Sequence, residues 1–512
     1  MKDEQDYDLL IVGAGINGAG IARDAAGRGL RVLICDQGDL GNYTSSSSTK
    51  LVHGGLRYLE YYEFRLVRKA LKEREVLLDI APHVIWPLRF VMPHVRELRP
   101  AWMIRLGLFL YDNLGGREKL PGSRGIDLSV HEAGAVLDDE LTKGFAYSDC
   151  WVQDSRLVVL NCQDAETRGA TVLPRYRCTN AVRGDDAWQA TLESTRDGSH
   201  RTINAKAIVN AAGPWVSRFL DGAAKVDDGR KVHLVKGSHI VTRKLFDHDY
   251  AYIFQHTDGR IVFAIPYEGD FTLIGTTDVA YEGDPASVRA SAEEIDYLCA
   301  AVSRYFKKPV TSADVVWTYS GVRALYDEDD TENASALSRD YLLELDSKGA
   351  PLLSVFGGKI TTYRTLASEA MTHLSHVMPV SDREWTGEAP LPGGDIPHGD
   401  FDRYLAATQQ EYAELPPALV ARLTRNYGTR IRELLAGVAR VDDLGEHFGA
   451  DLFEVELRFL QDCEWAMTAE DVVWRRSKLG LHLTPAQVER IDVWLGKNNE
   501  VSDDQAPSMA SV

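Results

Sequence analysis

The sequence predicts an α/β protein in which a discontinuous, mainly parallel-sheet domain carries an inserted antiparallel-sheet cap and a helical C-terminal unit. Three observations carry that expectation. Residues 7–36 run strand, glycine turn, small-residue helix, strand, acid. Two later apolar runs, around residues 207–215 and 352–364, again lead from a strand into a glycine turn. Short β-rich runs lie between them, and the pattern turns helical from about residue 384.

In the first unit Leu9-Leu10-Ile11-Val12 leads into Gly13-Ala14-Gly15-Ile16-Asn17-Gly18, and a second apolar run ends at Asp36. Gly13 permits the tight turn, Gly15 lets the backbone approach a pyrophosphate, and Gly18 lets the helix pack closely on the strand. Unpaired amides at the start of the helix favour the anion. Asp36, eighteen residues beyond Gly18, stands where a carboxylate accepts from ribose hydroxyls and disfavours a 2′-phosphate. The unit therefore binds a nucleotide, and by itself it leaves NAD, FAD and nucleotide-sensing readings open.

With 512 residues the chain exceeds one ordinary core, so two or three domains are expected. A net charge of −19 argues against nucleic acid as a partner, because phosphate backbones need a basic face. The six cysteines are scattered without metal-ligand spacing, which predicts reduced structural thiols, no metal and a reducing compartment. The acidic N-terminus lacks a leader pattern and no apolar run is long enough to span a bilayer, so a cytoplasmic protein, or one on the membrane's inner face, is expected.

Downstream, a serine-rich stretch at residues 44–49 leads into Lys50 and the turn His53-Gly54-Gly55. Its position beside the nucleotide unit favours a loop that hugs the cofactor over a linker. Helical spacing over residues 63–80 ends before Pro82. The insertion, about residues 232–319, holds runs such as 237–241, 260–266 and 271–275, a natural roof over a flat ligand. Pro392-Gly393-Gly394 marks the entry to the helical unit, and a polar tail follows Lys497.

Eight separated blocks in order, residues 13–20, 44–62, 145–151, 210–215, 236–240, 275–278, 317–323 and 354–364, together with Trp465 and Trp474-Arg475-Arg476, resemble the FAD-dependent, respiratory glycerol-3-phosphate dehydrogenases among the D-amino-acid-oxidase-like flavoproteins. The resemblance implies a Rossmann-like FAD domain of the glutathione-reductase type at residues 1–80, 145–225 and 320–383. A cap at 81–144 and 226–319, a helical domain at 384–497 and a disordered tail at 498–512 complete the expected division. It also implies oxidation of sn-glycerol 3-phosphate to dihydroxyacetone phosphate, with electrons passed to ubiquinone or menaquinone. Whether the chain forms a homodimer is left open.

A phosphorylated alcohol needs a dense positive pocket, and arginine offers a planar fork to phosphate oxygens. Arg57, Arg323 and Lys359 follow glycine turns, where side chains project toward a ligand, and Arg339 is a further candidate without such a turn. His239 is chosen as proton acceptor because imidazole titrates near neutral pH, with His53 and Arg323 as competitors and Arg323 also stabilising developing negative charge. For FAD, Gly13, Gly15 and Gly18 are assigned to the pyrophosphate and Asp36 to the ribose. Thr44, Ser45, Ser48 and Lys50 are assigned to the pyrophosphate and flavin, Ala212 and Gly213 to the adenine side, and Gly358, Lys359 and Thr362 to the pyrimidine edge.

A quinone reductase must reach the bilayer, and residues 89–111 are the candidate for an interfacial helix at the inner face of the cell membrane, with burial in a core or subunit interface as the alternative. The acidic run at residues 327–332 reads as solvated surface, lacking the spacing and glycine of a calcium loop. Two rivals stand beside the dehydrogenase: an oxidase that passes electrons to oxygen, and a non-catalytic FAD-binding redox sensor.

Overall fold

The computed structural model describes residues 6–95, 97–226, 232–256, 259–326 and 341–505, with side chains through residue 498. Asp6–Val12 (β1) sits inside an eight-stranded sheet because both its faces are apolar; Leu9, Leu10 and Ile11 have no exposed surface. It pairs in parallel with Val32–Asp36 (β2) on one side and His200–Asn210 on the other, placing Val12 opposite both Cys35 and Asn210. Thr171–Pro174 and Leu352–Phe356 extend the sheet in parallel at either side. Leu342–Asp346 and the hairpin of Tyr176–Arg183 with Trp188–Ser194 add antiparallel strands. Helix Ile16–Gly27 (α1) packs against Asp154–Thr167 and Tyr363–Ser375, and its run of alanines and glycines permits that close approach.

The second sheet has ten strands and draws on more of the chain than the sequence predicts. Lys143–Val152 and Val315–Tyr326, expected at the margins of the cofactor domain, both belong to it: the first pairs along its whole length with Ile85–Pro93, the second with Val232–Arg243. The sheet is also not purely antiparallel, since Ala251–Gln255 runs parallel to Ile85–Pro93. Residues 89–111 are accordingly not one helix. Arg89 lies in a strand bonded to Ser148, and the helix, Ala101–Leu114, begins only after Pro100. The expected helix at 63–80 is Phe64–Ile80.

The C-terminal unit packs helices Phe401–Glu411, Pro417–Tyr427, Glu454–Glu464 and Pro485–Gln505 with a small two-stranded sheet, around a core that includes Leu419, Leu423, Leu457, Leu460, Val472 and Ile491. The last helix runs past Lys497, so the first part of the expected disordered tail is helical; residues 506–512 lie outside the described residues. A buried ion pair crosses the seam, with Arg156 Nη2 donating to Glu464 Oε1 at 3.0 Å and to the Asn426 carbonyl at 3.1 Å.

Candidate active site

A cavity of about 680 Å³ lies between the carboxyl ends of the central parallel strands and the cap sheet. Its floor is the first glycine turn. Gly13 has φ +105°, and a Cβ there would sit 2.4 Å from the Ala211 carbonyl oxygen; one on Gly18 would sit 1.9 Å from the Gly13 oxygen. Only hydrogen fits at either place, which brings α1 and two strands together at the turn. The Asp36 carboxylate accepts from the Ala14 and Gly38 amides, each at 2.8 Å, and faces the cavity. Burial pushes its pKa up to about 6 despite those bonds.

Gly15, Thr44, Ser45, Ser48, Ala212, Gly213, Gly358 and Lys359 all line this cavity. Ser45 Oγ accepts from the Ile16 amide at 3.0 Å, and Thr44 Oγ1 donates to the Val322 carbonyl at 2.6 Å, tying the serine turn to the cap. Gly358, at φ +102°, lies against Asn17, whose amide donates to the Gly357 carbonyl at 3.0 Å. Lys50 and Thr362 are corrections, because neither borders the cavity. Lys50 is buried behind the turn, its ammonium 2.9 Å from Asp154 and 3.0 Å from the Ser46 carbonyl, where it pins the loop instead of meeting a ligand. Thr362 is buried at the start of helix Tyr363–Ser375, and its neighbour Thr361 faces the cavity.

His53, Tyr58, His239, Arg323 and Lys359 also border the cavity. His239 sits on Val232–Arg243, across from Gly275 and Tyr319. Its Nε2 lies 2.9 Å from Thr49 Oγ1, and its ring stacks on Tyr319 at 4.7 Å and 11°. Burial, then the charges of Lys50 and Arg323, push its pKa down to about 3. Titration near neutrality, the ground for choosing it from sequence, therefore fails here: the ring is neutral across the physiological range and, before substrate arrives, a weak base. Arg323 is ion-paired with Asp278 on a neighbouring loop. Lys359 Nζ lies 4.2 Å from the centroid of the Tyr58 ring. The His53 amide donates to Thr361 Oγ1 at 3.3 Å. Arg57 does not border the cavity; its guanidinium donates to the Tyr61 hydroxyl at 3.2 Å on the exposed side of the same turn. Arg339 and the acidic run at 327–332 lie outside the described residues. Thr49, Tyr58, Asp278 and Tyr319 lie within blocks of resemblance, but the sequence assigns none of them a role, since each meets a partner distant in the chain.

One consequence concerns stability. His83, wedged at the seam with the C-terminal unit, is likewise pushed down to about 3, by burial and then by Arg156 and Arg425. Between pH 6.5 and 3 the unfolded chain binds protons at His83 and His239 that the native state refuses, so stability falls as pH drops through that window. His83→Asn should flatten the pH dependence of unfolding between pH 6 and 4 by about 1.4 kcal/mol per pH unit, one proton's worth, as read from denaturant titrations of both proteins. The subtraction cancels carboxylates such as Asp36, whose raised pKa acts in the opposite sense.

A dinucleotide turn opening into a cavity roofed by a large sheet, with imidazole and cationic groups on its lining, defines a nucleotide-dependent oxidoreductase. Residues 8–364 match the FAD dependent oxidoreductase family and residues 385–493 the C-terminal domain of alpha-glycerophosphate oxidase. The chain belongs to the FAD-dependent oxidoreductase family, and FAD is its cofactor. It is 52% identical over 494 residues to a glycerol-3-phosphate dehydrogenase of Pseudomonas aeruginosa, covering 96% of this chain and 95% of that one. It is 51% identical over 503 residues to D-erythritol 1-phosphate dehydrogenase of Brucella abortus, covering 98% of this chain and all of that one. The solved glycerol-3-phosphate dehydrogenase of Bacillus halodurans, complexed with FAD, superposes with a TM-score of 0.75 at 26% identity, covering 100% of this chain and 97% of that one. The residues present fit the cofactor: a glycine turn so close to its neighbours that a Cβ at Gly13 or Gly18 would strike backbone, and a buried carboxylate, bonded to two amides, that borders the cavity.

Proposed function

We propose that this protein oxidises sn-glycerol 3-phosphate to dihydroxyacetone phosphate and passes the electrons to a membrane quinone. The observation that carries the reading is that one cavity is lined both by Gly13, Gly15 and Asp36 and by His53, His239, Arg323 and Lys359. FAD, when bound, supplies the acceptor for a hydride from the carbinol carbon. The chain's own groups do the rest. Arg323 and Lys359 hold the phosphate dianion, with Asp278 releasing part of its hold on Arg323 as the substrate's charge arrives. His239, neutral and oriented by Thr49 and Tyr319, takes the hydroxyl proton. The cap sheet excludes water from the reacting carbon.

The near-equal identity to a four-carbon polyol phosphate dehydrogenase gives the alternative substrate, D-erythritol 1-phosphate. Anaerobic addition of each compound to the yellow protein separates them. Glycerol 3-phosphate should bleach the flavin at the lower concentration, and a soluble quinone should restore the colour. Peroxide as the main product in air with quinone present would replace the dehydrogenase reading by the oxidase one.

No described helix is long and apolar enough to cross a membrane. We place the contact with the inner face of the membrane at helix Ala101–Leu114. Leu108 and Tyr111 point inward, while Trp102 (66% exposed) and Phe109 (59%) point outward with Met103 and Leu106. The turn beside it adds Tyr62, 79% exposed, and Phe64. Exposed Arg65, Arg68, Arg105 and Arg117 lie in the same segments, with Glu60 and Glu63 exposed among them and Arg117 paired with Asp112. An apolar ridge with arginines beside it suits an anionic lipid surface. Trp102→Glu with Phe109→Glu should release the protein from vesicles containing anionic lipid, by at least about tenfold in partition, while leaving flavin reduction intact. Unchanged vesicle binding, with a change of oligomeric state, would assign the ridge to a homodimer contact instead.

A further inference from the structure

Residues 470–478 of the C-terminal unit reach elements that line the cavity. Arg475 Nε donates to Asp39 Oδ2 at 2.6 Å, and Arg476 spans the same carboxylate with Nη1 at 2.5 Å and Nη2 at 2.8 Å. Asp39 and Arg476 are fully buried, and Asp39 stands in the loop after β2 whose Gln37, Gly41, Asn42 and Tyr43 line the cavity at its ribose end. Asp471 holds the same loop by a second route: it accepts from Arg175 Nη2 at 2.7 Å, and the Arg175 amide donates to the Gly38 carbonyl at 2.7 Å. Trp474, between these groups, stacks on Trp317 of the cap at 4.1 Å and 9°. Trp317 contacts Tyr319 at 5.1 Å, and Tyr319 stacks on His239.

We infer that residues 470–478 are a positioning device for the active site, in which Arg475 and Arg476 set the loop that covers the adenosine end of FAD and Trp474 sets the cap strand behind the proton acceptor. A mere adhesive would not need this chemistry. Buried ion clusters roughly break even against apolar packing in stability, whereas two guanidinium forks on one carboxylate fix its orientation closely. The contacts also fall on cavity-lining elements, whereas Arg156, which meets the Glu464 side chain, lies on helix Asp154–Thr167, no residue of which borders the cavity; Arg476 Nε joins the two by donating to the Glu464 carbonyl at 3.0 Å. The Trp474 arm rests on the reading of His239 given above; the arginine arm does not.

The test uses holoenzyme and three variants. Arg476→Lys, which keeps the charge and loses the fork, should release FAD about tenfold faster, followed by flavin fluorescence on dilution, with little change in the polyol phosphate concentration that half-bleaches the flavin. Trp474→Leu should leave FAD release unchanged and raise that half-bleaching concentration by roughly fivefold. Arg156→Lys, at the seam control, should lower the melting temperature and move neither quantity. Arg475→Lys replaces Arg476→Lys if the latter does not fold. The inference is overturned if Arg156→Lys releases FAD as fast as Arg476→Lys, or if the 476 and 474 variants match wild type in both measurements. If no polyol phosphate bleaches even the wild-type flavin, the proposed substrate falls, and the comparison of FAD release between the 476 and 156 variants still decides the arginine arm.

Discussion

Gly13→Ala is expected to yield a folded protein that purifies without FAD. The residue sits at φ +105°, a region that costs an L-residue of order 1 kcal/mol or more. The added Cβ would also stand 2.4 Å from the Ala211 carbonyl oxygen. That oxygen cannot yield cheaply, because Ala211 directly follows a strand locked in register with β1. The turn itself must move, and with it the amides at the start of α1 that the sequence assigns to the pyrophosphate. A loss of at least about 4 kcal/mol in FAD binding, a thousandfold in affinity, is the expected outcome. Flavin absorbance per protein after gel filtration measures it. Gly29→Ala is the matched comparison: φ is +88° there, yet nothing lies within 4 Å of the added Cβ. That variant should keep its flavin and lose only about 1 kcal/mol of stability.

The second large effect is at His239. His239→Asn should keep FAD, since the ring meets Thr49 and Tyr319 and the glycine cradle lies elsewhere. Flavin reduction by substrate should slow by about 10²–10⁴-fold, the range for removal of a positioned general base. Because the imidazole titrates only near pH 3, the wild-type reduction rate should show no limb near pH 6.5 from this residue. Stopped-flow bleaching between pH 5.5 and 8.5 checks both statements. A variant that bleaches at close to the wild-type rate would move the proton-accepting role to His53, which borders the same cavity.

The cofactor half of the site was readable because its constraints are local. Gly13, Gly18 and Asp36 act through backbone shape over fewer than thirty residues, and a strand–turn–helix unit announces itself by periodicity. Lys50 departs from its expected place for the opposite reason. Its partner, Asp154, is 104 positions away, and nothing in a serine-rich loop signals that the lysine turns inward. The environment of His239 is hidden in the same way, since burial and two cations from distant segments, Lys50 in a loop and Arg323 in a strand, set its protonation. The cap was legible as a sheet but not in extent or detail: most of Lys143–Val152 and the end of Val315–Tyr326 fall outside its expected bounds, and the end of Ile85–Pro93 falls in the stretch expected to be helical, because their pairing partners lie far in the chain. Residues 470–478 gave only a block of resemblance, and their contact with Asp39 spans the molecule.

The pairing of β1 with His200–Asn210, and of that strand with Leu352–Phe356, has a consequence for how the molecule is made. On the ribosome the N-terminal strand waits for a neighbour about two hundred residues behind it, roughly 10–40 s at ordinary elongation rates. During that interval β2 gives β1 a partner on one edge only, and the other edge is an open template for stray association. Such long-range closure makes for slow maturation and dependence on chaperones. Arg475 and Arg476 emerge later still, so the loop bearing Asp39 gains its last restraints only when synthesis is almost over. Flavin supplied early would meet an unfinished receptacle, and yield in recombinant expression should respond more to slowed growth than to added riboflavin.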